Sequence, residues 1–222
     1  VSSAASDVYK RQAEYFAANL SSDINDTDKV VKLIDDAKSL NVNVVMPDVN
    51  MSFPDFRVID DHTISYGLAA IKNVGYKAAE DIAKARKDVT YKTIFDLCTI
   101  ESTAVNKKTL ESLILAGACD QLAGHRAQQY ESIDKVIHFG QLYNKQSNKN
   151  QESLFSSDGV DMEIPIPELA EAEEWSSDIC LSKEKELIGF YLSGNPLEPY
   201  LMDLKDFEFD DVKGKDSELR LG

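Results

Sequence analysis

Residues 64–87, ISYGLAAIKNVGYKAAEDIAKARK, constrain this chain more than any other stretch. Leu68 and Ile71 lie three residues apart, and Ala78, Ala79 and Ile82 fall at helical spacing, so Lys72-Asn73-Val74-Gly75 between them has room only for a tight turn. The pattern predicts a short helix, a hairpin and a second helix, with Gly75 supplying a permissive φ and Gly75→Val therefore damaging. In such a hairpin the unpaired N–H groups at the start of the second helix form an anion cradle, with Lys72 and Lys77 beside it. A glycine turn between amphipathic helices also occurs in purely structural cores, so the turn alone leaves both readings open.

Charge bears on that choice. The chain has 222 residues, a formal net charge of −15 and a pI near 4.6. Residues 64–149 carry 12 Lys+Arg against 9 Asp+Glu, whereas residues 1–63 carry 6 against 11 and residues 150–222 carry 6 against 19. The one net-positive segment holds the hairpin, which suits a local contact with a nucleic-acid backbone and excludes coating of DNA by bulk charge. With 43% hydrophobic residues the chain can bury a real core. No apolar run approaches spanning length, and the N-terminus has no signal-peptide pattern, so no membrane role is expected. Cys98, Cys119 and Cys180 are widely spaced in apolar patterns and read as buried thiols of a reducing, cytoplasmic compartment.

In chain order, residues 1–12 read as a foreign or disordered start. Residues 14–20 are a short helical run, and Asp26 or Thr27 caps a helix reaching about Leu40, with Val30, Val31, Leu33, Ile34 and Ala37 inward. Residues 41–46 alternate as a strand, and residues 53–66 form a hairpin around Asp60-Asp61. Asp23, Asn25 and Thr27 begin like a calcium loop, but Asp26 stands where that loop needs glycine and Ile34 where it needs glutamate. Asp26 and Asp28 have two-metal spacing, yet a helix start explains them better. After the hairpin come a helical turn at 93–97 and a helix capped by Asn106 and stopped by Gly117. A longer helix then starts at His125-Arg126, with Tyr130, Ile133, Ile137 and Gly140 inside. His62, His125 and His138 have no partner at metal-ligand spacing. NKQSNKN at 144–150 reads as a polar linker, followed by Leu154 and Phe155 as a stranded apolar pair that either anchors in a partner or staples back. Trp175 anchors an acidic segment, and a last helix at 181–192, with Leu187, Ile188 and Tyr191 inward, ends at Ser193-Gly194.

Several strings in this order resemble one family, the alpha subunit of bacterial DNA polymerase III: AEYFAANLSSDINDTDKVVKLID at 13–35, PDVN at 47–50, SYGLAAIKNVGYKAAEDIAKAR at 65–86, FDLC at 95–98, VNKKTLESLILAGACDQLAGHRA at 105–127, QESLF at 151–155 and EKELIGFYLSGNPLEPY at 184–200. The resemblance covers most of residues 13–200. It departs at Gln12, where the family usually has proline, at Asn73, where it commonly has glycine, and at Asn195, a frequent histidine. It implies a mainly α fold with a small β element, arranged as the end of the fingers at 13–63 and a tandem helix-hairpin-helix domain at 64–143. A flexible linker with a clamp-binding motif at 144–178 and the approach to an oligonucleotide-binding fold at 179–222 follow. Lys72, Asn73, Val74, Gly75 and Lys77 match the hairpin that touches duplex DNA, and Gln151, Leu154 and Phe155 match the motif that binds the sliding clamp. Other holoenzyme subunits are implied as partners. The family's catalytic magnesium ligands belong to the palm, so this part is expected to hold no cofactor, to carry no catalytic or metal-binding residue and to be inactive alone. Two other classes remain: a helix-hairpin-helix DNA-repair accessory module, and a protein adaptor without DNA contact.

Overall fold

The computed structural model describes residues 11–86, 90–152 and 164–194, with side chains omitted over 147–152. The fold is mainly helical with one small sheet. Helices α1 (Gln12–Ser22) and α2 (Thr27–Ser39) pack together, α2 being capped by Asp26, whose carboxylate accepts from the Lys29 N–H at 3.2 Å. They lie on a three-stranded sheet of β1 (Asn43–Val45), β2 (Arg57–Asp60) and β3 (Thr63–Ser65), α1 against β2 and α2 against β1. The order is β1-β3-β2, with β3 antiparallel to β2, as the hairpin pattern predicts, but parallel to β1. Only the central strand is buried on both sides, so Ile64 is inaccessible while β2 is exposed throughout.

Beyond the sheet, a 3-10 turn (Leu68–Ala70) leads into the hairpin and α3 (Tyr76–Ala85), then α4 (Ile94–Cys98), α5 (Lys107–Leu115), α6 (Arg126–Glu131), α7 (Ile133–Glu152) and α8 (Ser177–Ile188). Asn106 caps α5 by accepting from the Thr109 N–H at 3.1 Å, and Gly117 takes the left-handed conformation (φ 79°) after it. One continuous core joins all of these elements, from Ala13 and Phe16 through Ile71, Ile82, Phe95 and Leu113 to Leu187 and Ile188. Helix α7 crosses α4 at Gly140, where a Cβ would stand 2.8 Å from the Cys98 side chain, so glycine is what permits that approach.

The structure corrects the pattern reading in four places. The first arm of the hairpin is a 3-10 turn of three residues rather than a helix. Asn144–Asn150 continue α7 rather than forming a linker, because nothing in NKQSNKN breaks a helix already nucleated and packed upstream. The helix starting at His125 is interrupted at Ser132, whose hydroxyl donates to the Gln128 carbonyl at 2.7 Å. Helix α8 stops at Gly189 (φ 99°), ahead of Ser193.

The acidic segment at 164–176 has no helix or strand, yet it is seated on the fold. Ile164 and Leu169 pack against the core, the Ala170 N–H donates to the Ser132 hydroxyl at 2.7 Å, and Trp175 lies 5.6 Å from Tyr130, centroid to centroid. The Lys183 ammonium sits over both rings, at 4.8 and 5.9 Å. Glu184 is fully buried and accepts from the Leu192 and Ser193 N–H groups at 2.8 Å and the Ser193 hydroxyl at 2.6 Å, folding the chain back over α8.

Cys98 and Cys119 are buried, and burial pushes the Cys98 thiol up to about 12 and the Cys119 thiol upward as well. In the folded chain at pH 8, a thiol reagent is therefore expected to modify Cys180 alone of the three, and all three after denaturation. Because the folded thiols hold their protons longer than unfolded ones, the stability they contribute is complete below about pH 8.5 and is lost as pH rises from there towards 12. Denaturant titrations at pH 7, 8.5 and 9.5 check this, with the midpoint falling only over the last interval.

Candidate nucleic-acid interface

The hairpin is built by two buried side chains. Ile71 and Val74 are 1% and 4% exposed, and the Val74 N–H donates to the Ile71 carbonyl at 3.0 Å, so the chain reverses over Lys72 and Asn73 alone. Asn73, the third residue of this β-turn, takes a positive φ of 66°, the conformation that marks the type II and I′ families. Gly75 does not: its φ of −69° and ψ of 151° are open to most residues. The expectation that Gly75 provides the unusual dihedral is thus overturned. Asparagine is the residue other than glycine that best tolerates the left-handed region, and its side-chain amide here donates to the Ser112 hydroxyl at 3.3 Å, tying the turn to α5.

Gly75 serves α3 differently. It occupies the N-cap without a capping side chain, and a Cβ built on it would meet nothing within 4 Å. The N–H groups of Gly75, Tyr76, Lys77 and Ala78 meet no acceptor among the described residues. An uncapped helix start in open space leaves orphan donors and the positive end of the helix dipole facing solvent. A cavity of about 360 Å³ opens beside it, lined in part by Asn25, Thr27 and residues 69–75.

The lysines are less free than their positions in sequence indicate. The Lys72 ammonium donates to the Glu186 carbonyl at 2.9 Å and its backbone N–H to the Leu187 carbonyl at 3.1 Å, so Lys72 caps the C-terminus of α8. Lys77 pairs with Asp81 at 2.7 Å and Glu80 at 3.5 Å, and the hydrogen bond to Asp81 raises its pKa above the ordinary lysine value. Asp81 is held below the usual carboxylate range by Lys77 and by the Ser102 hydroxyl at 2.6 Å. Both ammonium groups are exposed, but each has a partner within the fold.

The turn between α5 and α6, residues 116–125, is by contrast capped by side chains. His125 caps α6 by accepting from the Gln128 N–H at 3.3 Å, and the Arg126 guanidinium forks onto Asp120 at 2.7 and 2.6 Å. Trp175 and Glu174 of the acidic segment line the adjoining cavity. Of the residues matched to the clamp motif, Gln151 lies in the last turn of α7, while Leu154 and Phe155 fall outside the described residues. Among the described residues no group of three or more His, Cys, Asp or Glu side chains could hold a metal ion, and no helix is long and apolar enough to cross a membrane. Sequence reasoning missed Arg57 and Arg86, which flank the ring of Phe53; only their proximity in space reveals them.

A family model described as a helix-hairpin-helix motif matches residues 41–129. The relatives are more particular. The chain is 38% identical over 196 residues to DNA polymerase III subunit alpha of Xylella fastidiosa strain Temecula1, covering 87% of this chain and 16% of that protein. It is 36% identical over 200 residues to the protein of the same name from Vibrio cholerae, covering 88% and 17%, and 38% identical over 200 residues to that of Borreliella burgdorferi, covering 87% and 17%. The chain is similar to one segment of these proteins and spans 16–17% of their length.

Because φ at position 73 is the one strained element of the turn, Asn73→Gly is expected to leave the melting temperature within a few degrees of wild type. Asn73→Val should cost about 1–3 kcal/mol. Thermal unfolding followed by circular dichroism measures both.

Proposed function

We propose that this chain is part of the alpha subunit of a bacterial DNA polymerase III and that its own residues bind rather than catalyse. The hairpin at 72–77 takes the backbone of duplex DNA, and residues 151–155 tether the subunit to a ring-shaped sliding clamp. The observation that carries the DNA reading is the open, uncapped start of α3, where the N–H groups of the exposed residues Gly75, Tyr76 and Lys77 meet no acceptor among the described residues. Phosphate oxygens complement such donors, and binding through main-chain amides is indifferent to base sequence. The names of the relatives support a place in DNA replication. Magnesium and primer extension belong, in this reading, to parts of the polymerase other than the residues described here.

The hairpin offers a test that separates amides from charge. Proline fits the φ of −69° and ψ of 151° at position 75, where the glycine N–H makes no hydrogen bond among the described residues and a Cβ would meet nothing within 4 Å. Gly75→Pro is therefore expected to fold with an unchanged melting temperature yet bind a duplex oligonucleotide several-fold more weakly, with the same salt slope. Unchanged affinity would leave the hairpin as a core turn and favour an adaptor without DNA contact.

For the clamp, a hold on a ring that encircles DNA raises effective concentration without new polymerase–DNA contacts. Gln151 supplies an amide at the pocket rim, and Leu154 and Phe155 are adjacent apolar anchors. Such anchors carry about 2 kcal/mol each when buried, so Leu154→Ala with Phe155→Ala should weaken binding to the cognate clamp more than tenfold. Fluorescence titration of the labelled chain with purified clamp measures this, and equal affinities would place any clamp contact elsewhere.

A further inference from the structure

Two arginines share one aromatic ring beside the hairpin. The guanidinium carbon of Arg57 lies 3.6 Å from the centre of the Phe53 ring and that of Arg86 4.4 Å from it. Arg86 ends α3 and donates through Nη1 to the carbonyls of Val49 and Ser52, which are neutral acceptors. Among the described residues, neither arginine forms an ion pair with a carboxylate. The nearby carboxylates are otherwise engaged: Asp48 accepts from the Asn50 N–H at 2.7 Å, and Asp55 from the Tyr76 hydroxyl at 2.9 Å. Burial chiefly, with the Arg57 charge acting in the same sense, depresses the pKa of Arg86. Two like charges held against one ring repel, and an anion placed between or beside them relieves the repulsion.

This pair is rigidly joined to the hairpin. The Leu68 N–H donates to the Phe53 carbonyl at 2.8 Å and the Ala69 N–H to that of Pro54 at 3.1 Å. A Cβ on Gly67 would stand 2.7 Å from the Pro54 carbonyl oxygen, so the loop carrying Phe53 is pressed onto the first arm of the turn. The Tyr76–Asp55 hydrogen bond ties the same loop to the start of α3, and the charge of Arg57 is felt at the Tyr76 hydroxyl. Arg57 is exposed on the edge strand β2 and can meet a ligand without any rearrangement.

We propose that Arg57, stacked on Phe53 and backed by Arg86, is a second contact for the nucleic-acid backbone, extending the duplex footprint from the α3 amides along α3 towards the sheet. The inference rests on the DNA reading of the hairpin and assigns the strongest local cation to Arg57 rather than to Lys72 or Lys77. A guanidinium held over an aromatic ring keeps N–H groups for phosphate oxygens while losing little conformational freedom on binding.

The test is the salt dependence of duplex binding for the wild-type chain, Arg57→Ala, Arg57→Lys and Lys135→Ala, the last removing an exposed cation on α7, with circular dichroism to confirm folding. Arg57→Ala is expected to bind several-fold more weakly and to lower the log–log salt slope by about one unit, Arg57→Lys to keep the slope, and Lys135→Ala to change neither. If Arg57→Ala keeps the wild-type slope, or Lys135→Ala lowers it as much, the Arg57 contact is overturned while the hairpin reading stands. If the wild-type chain does not bind duplex at any salt concentration, both fall.

Discussion

The fold around the interface depends on burying both Ile71 and Val74 with only two residues between them. The chain reverses between them within a single β-turn, closed by the Val74 N–H on the Ile71 carbonyl, and Asn73 takes the left-handed conformation in it. With Asn73 left-handed, the chain enters α3 with Gly75, Tyr76 and Lys77 exposed. The Lys72 ammonium is also brought to the last carbonyls of α8. Shifting either apolar residue by one position would leave a large side chain in solvent and turn the amides elsewhere.

Electrostatics on this face follow from geometry more than from counts. Residues 64–149 are net positive, yet Lys72 and Lys77 spend their charge on a helix C-terminus and on the Asp81 and Glu80 carboxylates. What remains for a ligand is a row of backbone donors and a pair of arginines on a ring. Helix dipole and orphan N–H groups act only over short range, so an acidic chain can hold an anion here without a strongly positive surface. The seating of the acidic residues 164–176 on the α6–α7 side keeps part of the negative charge on another element.

Much of this was legible in the sequence. Asp26, Asn106 and Gly117 mark helix ends because capping chemistry is local. The β2–β3 hairpin is likewise a short-range pattern, whereas the parallel pairing of β1 with β3 is a tertiary choice with no local signature. The turn was located correctly but its strained residue was assigned to Gly75, since glycine is the usual carrier of positive φ; the departure at Asn73 was visible, its consequence was not. The polar run at 144–150 has linker composition, but composition cannot register that a helix is already propagating into it. Glu184 reads as one more surface charge in an acidic tail, and only the return of Leu192 and Ser193 onto its carboxylate explains its burial.

The hydrogen bond from Lys72 to Glu186 joins residues 114 positions apart. During synthesis at about 5–20 residues per second, roughly 6–23 s separate the appearance of the two partners. The turn can close on Asn73 early, from local contacts, but its outer lysine has no seat until nearly all the described chain has left the ribosome. The last of the described helices is the one that seats Lys72, so a long closure, slow to form on topological grounds, finishes this face.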